Sequence, residues 1–140
     1  MNKAAHPNVL KAKELIEKDG QQMLVMDLAE RGSLASLISN KGLSERKMKP
    51  IVRQILAALA HLESKEIVHL DIKPENILLN KKGNPLLCDF GASLEYEHFK
   101  LLKKSDKTGT PYYMSPEMNT GNWSKMHKSD IYSLGLTVKE

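Results

Sequence analysis

Met48, Ile51, Val52, Ile55, Leu56, Leu59 and Leu62 recur at i, i+3 and i+4 spacing. That period sets them on one stripe of an α-helix, and a stripe this long has to be buried against other elements. The rest of the chain must therefore supply surfaces that cover it. Ser44 stands where an N-cap would start the helix. Pro50 falls past the first turn, where its ring and missing N–H should kink or delay the helix. The stripe itself means core packing, not chemistry.

Around that segment, short extended runs alternate with turns. Val9 to Glu17 and Gln21 to Leu28 read as strands, and Lys18-Asp19-Gly20 between them signals a hairpin. Ser33 can cap a short helix over Leu34 to Ser39, stopped near Gly42. Ile77–Leu79 and Leu86–Cys88 form a second hairpin across Asn80-Lys81-Lys82-Gly83-Asn84. Gly91 to Thr120 is irregular, and a stretch of that length inside a small domain is functional or disordered. A last apolar piece begins at Ile131.

Composition narrows the function classes. With 140 residues, 41% hydrophobic and 27% charged, the chain can build one small core. The net charge of +4 is scattered through Lys-rich loops, and aromatics are 5%, so no basic-aromatic stripe for nucleic acid stands out. Cys88 is alone, so no internal disulfide can form, which suits a reducing cytoplasm or nucleus. Met1 to Leu10 has no apolar signal region, and no apolar run approaches the ~20 residues of a membrane span. The expectation is a soluble intracellular protein without membrane or nucleic-acid partners.

The loops hold the reactive groups. His69-Leu70-Asp71-Ile72-Lys73-Pro74-Glu75-Asn76 follows the long helix, Asp89-Phe90-Gly91 follows the second hairpin, and Ser115-Pro116-Glu117 comes later. An aspartate in a loop is ordinarily a turn former or cap, Lys73 alone would be surface charge, and any one short match is weak. Their order on a helix–loop–hairpin–long loop background is the specific signal. His61, His98 and His127 lack metal-ligand spacing.

Together these segments resemble eukaryotic-type serine/threonine protein kinases. The first is similar to the catalytic loop H-R-D-L-x-x-x-N, the second is D-F-G, and the third stands at the place of A-P-E. His6-Pro7-Asn8, Met23 to Leu28, Thr108 to Tyr113 and Ser129 to Gly135 extend the likeness over nearly the whole chain. The resemblance implies an α+β fold, a partial protein-kinase-like fold holding the end of the small lobe and the first half of the mainly helical large lobe. Residues 1–28 would be the small-lobe remnant with the hinge strand, and 29–140 the large-lobe portion.

The implied activity is transfer of the ATP γ-phosphate to serine or threonine of a protein substrate, with Mg²⁺. Asp71 would accept the hydroxyl proton, Lys73 would neutralise the γ-phosphate, and Asn76 and Asp89 would hold Mg²⁺. Thr110 would tie the docking loop to Asp71 and Lys73. His69 would be structural and pack with Phe90. Met26 would be the gatekeeper, Asp27 and Leu28 the start of the hinge, and Ala29 and Leu78 the walls of the adenine site. The same residues would serve as ordinary core in a non-kinase. Cys88 is either a thiol open to reaction or a buried small hydrophobe.

The resemblance has gaps. Leu70 replaces the arginine that grips a phosphorylated activation segment, so control through Ser105, Thr108 or Thr110 should be weak. No G-x-G loop, V-A-I-K strand or partner glutamate is present in the 140 residues. Such a chain should fold poorly alone, leave an open sheet edge and part of the Met48–Leu62 stripe uncovered, and turn over negligibly. The alternative is a catalytically dead kinase-like binding or regulatory module.

Overall fold

The apolar stripe forms one long helix at the centre of a computed structural model, which describes residues 2–103, 106 and 108–140. In chain order the elements are β1 (Ala12–Lys18), β2 (Gln21–Met26), α1 (Leu34–Lys41), α2 (Glu45–Ser64), β3 (Ile67–Val68), β4 (Ile77–Leu79), β5 (Pro85–Leu87), β6 (Leu94–Glu95), α3 (Pro116–Thr120) and α4 (Ser129–Lys139). Short 3-10 turns lie between them. The mixture of helices and small antiparallel sheets agrees with the expected α+β class.

Met48, Ile51, Ile55, Ala58, Leu59 and Leu62 of α2 are buried. Each large apolar side chain removed from water contributes roughly 1.5–3 kcal/mol, so this face is what anchors the fold. It packs on α4, β3 and β5. Leu56 is the exception at 42% exposure. The delay expected from Pro50 does not occur, since α2 already runs from Glu45. The bond that Pro50 cannot make would reach Arg46, which is exposed and can turn its carbonyl to water. Ser44 has the extended backbone of an N-cap, but its hydroxyl makes no capping bond.

Ser33 does cap α1, accepting a bond from Ser36 N at 3.2 Å, and Gly42 ends that helix at φ 61°. β1 and β2 pair antiparallel across Asp19 and Gly20, whose φ of 53° and 73° belong to a twisted two-residue turn. Val9 is not part of this hairpin. The segment Asn8–Leu10 runs parallel to β5 instead, with Leu87 N donating to Asn8 O and Leu10 N to Leu87 O, both at 2.8 Å. Asn8 locks it there by donating to Pro85 O at 2.9 Å and to Gln54 Oε1 at 3.0 Å.

The β4–β5 hairpin forms as expected, with Ile77 opposite Leu87 and Asn80 Oδ1 accepting from Lys82 N and Asn84 N in the turn. The stretch after Gly91 is less irregular than the sequence implies. It contributes β6, which pairs with β3, and the helix α3. Two hydrophobic clusters result. The larger joins α1, α2, β4, β5 and α4; the smaller holds Val68, Leu70, Met114, Met118 and Met126. No helix among the described residues is long and apolar enough to cross a membrane.

Candidate active site

The loop after β3 threads between the two clusters. Leu70 is buried in the smaller and Ile72 in the larger, so Asp71 between them is pinned from both sides. Leu70 adopts φ 67°, a conformation costing a non-glycine residue about 1–2 kcal/mol. Asp130, buried at the start of α4, offsets that strain. Its Oδ2 accepts from His69 N at 2.7 Å and its Oδ1 from Leu70 N at 2.8 Å. Burial pushes the Asp130 carboxyl up, while the His69 ring and the two backbone donors pull against it.

His69 Nδ1 accepts from Asp71 N at 3.2 Å, which leaves Nε2–H to donate to Cys88 O at 2.9 Å. Burial lowers its pKa and keeps the ring neutral, against the pull of Asp130. The ring meets Phe90 edge-on at 4.7 Å between centroids, as the sequence suggests. His69 thus couples the Asp71 loop to the Asp89 turn.

Asp71 collects four donors. Its Oδ1 accepts from Thr110 N at 3.0 Å and Thr110 Oγ1 at 2.6 Å. Its Oδ2 accepts from Asn76 Nδ2 at 2.9 Å and lies 3.1 Å from Lys73 Nζ. Lys73 Nζ also donates to Thr110 Oγ1 at 2.7 Å, and Asn76 Nδ2 to Asp71 O at 2.8 Å. Burial pushes the Asp71 carboxyl up, but Thr110, Lys73 and Asn76 together outweigh it and hold the group below the ordinary aspartate value. Asp71 is therefore a carboxylate at neutral pH.

Thr110 reaches Asp71 because Gly109 lets the backbone pass close to the Leu70 carbonyl. Gly109 has φ 95°, and a Cβ there would overlap Leu70 O. Gly109→Ala should cost about 1–3 kcal/mol through this overpacking, read as a lowered midpoint in urea. An unchanged midpoint would refute the close approach.

Asp89 lies one turn away, at φ 61°, with Oδ1 accepting from Gly91 N at 3.2 Å. Cys88 N donates to Asn76 O at 3.0 Å, so the open end of the β4–β5 hairpin brings Asn76 and Asp89 to neighbouring positions. Asn76 spends its NH₂ on Asp71, leaving Oδ1 as its acceptor for anything else. One carboxylate and one amide oxygen fit a hard cation such as Mg²⁺, which takes few protein ligands and fills its shell with water and phosphate. Among the described residues no three His, Cys, Asp or Glu side chains gather at a point.

The amino-acid sequence matches the family model described as protein kinase domain over residues 1–140. The chain belongs to the protein kinase family. It is 35% identical over 136 residues to serine/threonine-protein kinase RUNKEL of Arabidopsis thaliana, covering 96% of this chain and 10% of that protein. It is 38% identical over 140 residues to a probable myosin light chain kinase of Dictyostelium discoideum, covering 97% and 39%. It is 36% identical over 140 residues to serine/threonine-protein kinase STE20 of Candida glabrata, covering 100% and 15%. The chain thus spans well under half the length of these relatives.

Within this kinase chain, the residues singled out from sequence separate into two groups. Asp71, Lys73 and Asn76 touch one another, and Asp89 is linked to them through Cys88. Met26, Asp27 and Leu28 lie at the exposed end of β2, with Leu28 81% exposed. Among the described residues no hydrogen bond or ion pair joins them to Asp71; Asp27 instead pairs with Lys13 at 2.6 Å. They are not ordinary core. Ala29 and Leu78 are half-buried, and their segments are bonded through Arg31 N to Leu79 O at 3.0 Å and a Ser33–Leu78 bridge. Ala29 lies in the loop after β2 and Leu78 in β4.

Asp130 and Gly109 escaped the site reading from sequence. Both act on backbone groups far along the chain, and Ser129-Asp130 before an apolar run looks like an ordinary helix start. Cys88 is half-buried, and its Sγ donates to Asn76 O at 3.4 Å. Burial, with help from Asp89, pushes its thiol up to about 11 from 9.0. Thiolate is the reactive form, so alkylation by iodoacetamide at pH 7.5 should run about 100-fold slower than for a free thiol. Modification at the free-thiol rate would refute this.

Proposed function

We propose that this chain is the catalytic part of a serine/threonine protein kinase, transferring the γ-phosphate of ATP to a serine or threonine hydroxyl of a protein. The observation that carries the reading is the contact of Asp71 with Lys73, Asn76 and Thr110 within one loop system. The hydroxyl oxygen bonds to the γ-phosphorus, the bond to the β–γ bridging oxygen breaks, and ADP leaves. The hydroxyl proton passes to Asp71. A carboxylate offers about four acceptor sites, and in the structure all four donors around Asp71 come from the protein. One must leave to admit a substrate hydroxyl. Lys73 is the one on a long flexible stem, and a triphosphate would draw its charge away.

Asn76 Oδ1 and Asp89 would hold Mg²⁺, whose charge neutralises the phosphate oxygens during transfer. Ala29 and Leu78 would flank adenine, with Met26, Asp27 and Leu28 along its edge. Two of the three relatives bear the name serine/threonine-protein kinase, and Lys73 with Thr110 supports that class over tyrosine.

The test is transfer of labelled γ-phosphate to a mixed Ser/Thr/Tyr peptide library by the full chain. Transfer to Ser and Thr that stops with EDTA and with Asp89→Asn is expected. Nucleotide binding without any transfer would overturn the enzymatic reading and favour a kinase-like binding module.

A further inference from the structure

Leu70 has no part in the proposed chemistry, yet it is among the most heavily committed residues of the loop. Its side chain is 3% exposed in the smaller cluster, beside Met114 and Met118. Leu94, Tyr96 and Phe99 pack against the same cluster. These neighbours come from both ends of the stretch after Gly91. Near its start, β6 pairs with β3 and Tyr96 N donates to Glu66 O at 2.8 Å. At its far end, Thr110 bonds Asp71 and Ser115 caps α3. A leucine has no donor to offer a phosphate, but it does supply the apolar surface on which both ends meet.

We infer that Leu70 is a positioning residue: it fastens residues 92–99 and 114–118 to the Asp71 loop by apolar packing, so the site keeps its shape with no phosphate between those two segments. The inference takes its meaning from the kinase reading, but the packing can be measured without turnover. The Leu70 backbone supports it. Its N–H is held by Asp130 and its carbonyl is crowded by Gly109, so the side chain is aimed into the cluster by contacts on both sides. Of the phosphorylation candidates, Thr110 gives its hydroxyl to Asp71, and Ser105 lies outside the described residues.

Hydrogen exchange followed by mass spectrometry tests this on the full chain, shown to be unphosphorylated by intact mass. In Leu70→Arg, peptides covering residues 94–102 should exchange about tenfold faster or more, while α2 peptides keep their protection. Leu70→Met, which restores apolar volume, should match wild type. Thr108→Glu, at a half-buried position outside the cluster, should leave exchange of the stretch within about twofold. Unchanged exchange in Leu70→Arg with α2 intact would overturn the inference. If α2 also loses protection in Leu70→Arg, the other two variants decide. Loss of segment protection in Leu70→Met, or tenfold slower exchange in Thr108→Glu, would overturn it. A phosphate-transfer assay on the same samples bears on the kinase reading alone.

Discussion

Replacing Asp130 by alanine should lower the unfolding free energy by about 3–5 kcal/mol and release the loop that carries Asp71. The carboxylate satisfies two buried backbone N–H groups, on His69 and Leu70, at 2.7 and 2.8 Å. Alanine leaves both without a partner and removes what holds Leu70 at φ 67°. A change of this size is a large share of a small domain's stability. Asp130→Asn should fall between, because its Oδ1 still accepts one N–H while its NH₂ faces the other donor. Urea titrations of the three proteins, followed by circular dichroism, measure the order. Equal midpoints for the alanine variant and wild type would show that the loop is held by something else.

Asp71→Asn should reduce phosphate transfer by about 10²–10⁴-fold, the range expected for loss of a general base. The new amide is nearly the same size, so packing between the two clusters survives. Its NH₂, however, must face Lys73 Nζ and Asn76 Nδ2, which are themselves donors. The same variant has a signature in acid. The folded chain holds the Asp71 carboxyl below its ordinary value of 3.8. A carboxyl lowered on folding adds stability that is complete above the unfolded value and disappears as pH falls through the folded one. Wild type should therefore lose more stability than Asp71→Asn between pH 5 and strong acid, over a window of about pH 4 and below. Denaturant titrations at several pH values check this. Transfer at the wild-type rate in Asp71→Asn would remove Asp71 from the chemistry.

Local physics made much of this chain readable. The i, i+3, i+4 stripe specifies α2, Asp19-Gly20 and the Asn80–Asn84 turn specify two hairpins, and Ser33 with Gly42 bounds α1. In each case the residues that decide the element lie within a few positions of one another. The ordered loop segments with Asp71, Asn76 and Asp89 carried the family in the same way. Single local signals were less secure. Ser44 makes no capping bond and Pro50 does not delay α2, because water can satisfy exposed groups at a helix start.

What the amino-acid sequence determined alone was thus the type of each strong element and the family. Tertiary structure decided that Val9 lies along β5, that β3 finds β6, that Asp130 reaches back to His69 and Leu70, and that Leu70 joins Met114 in a core. It also left Met26 and Leu28 open to solvent. These choices depend on which backbone donors and apolar surfaces are removed from water together, and residues far apart in the chain carry no periodic mark of that shared burial.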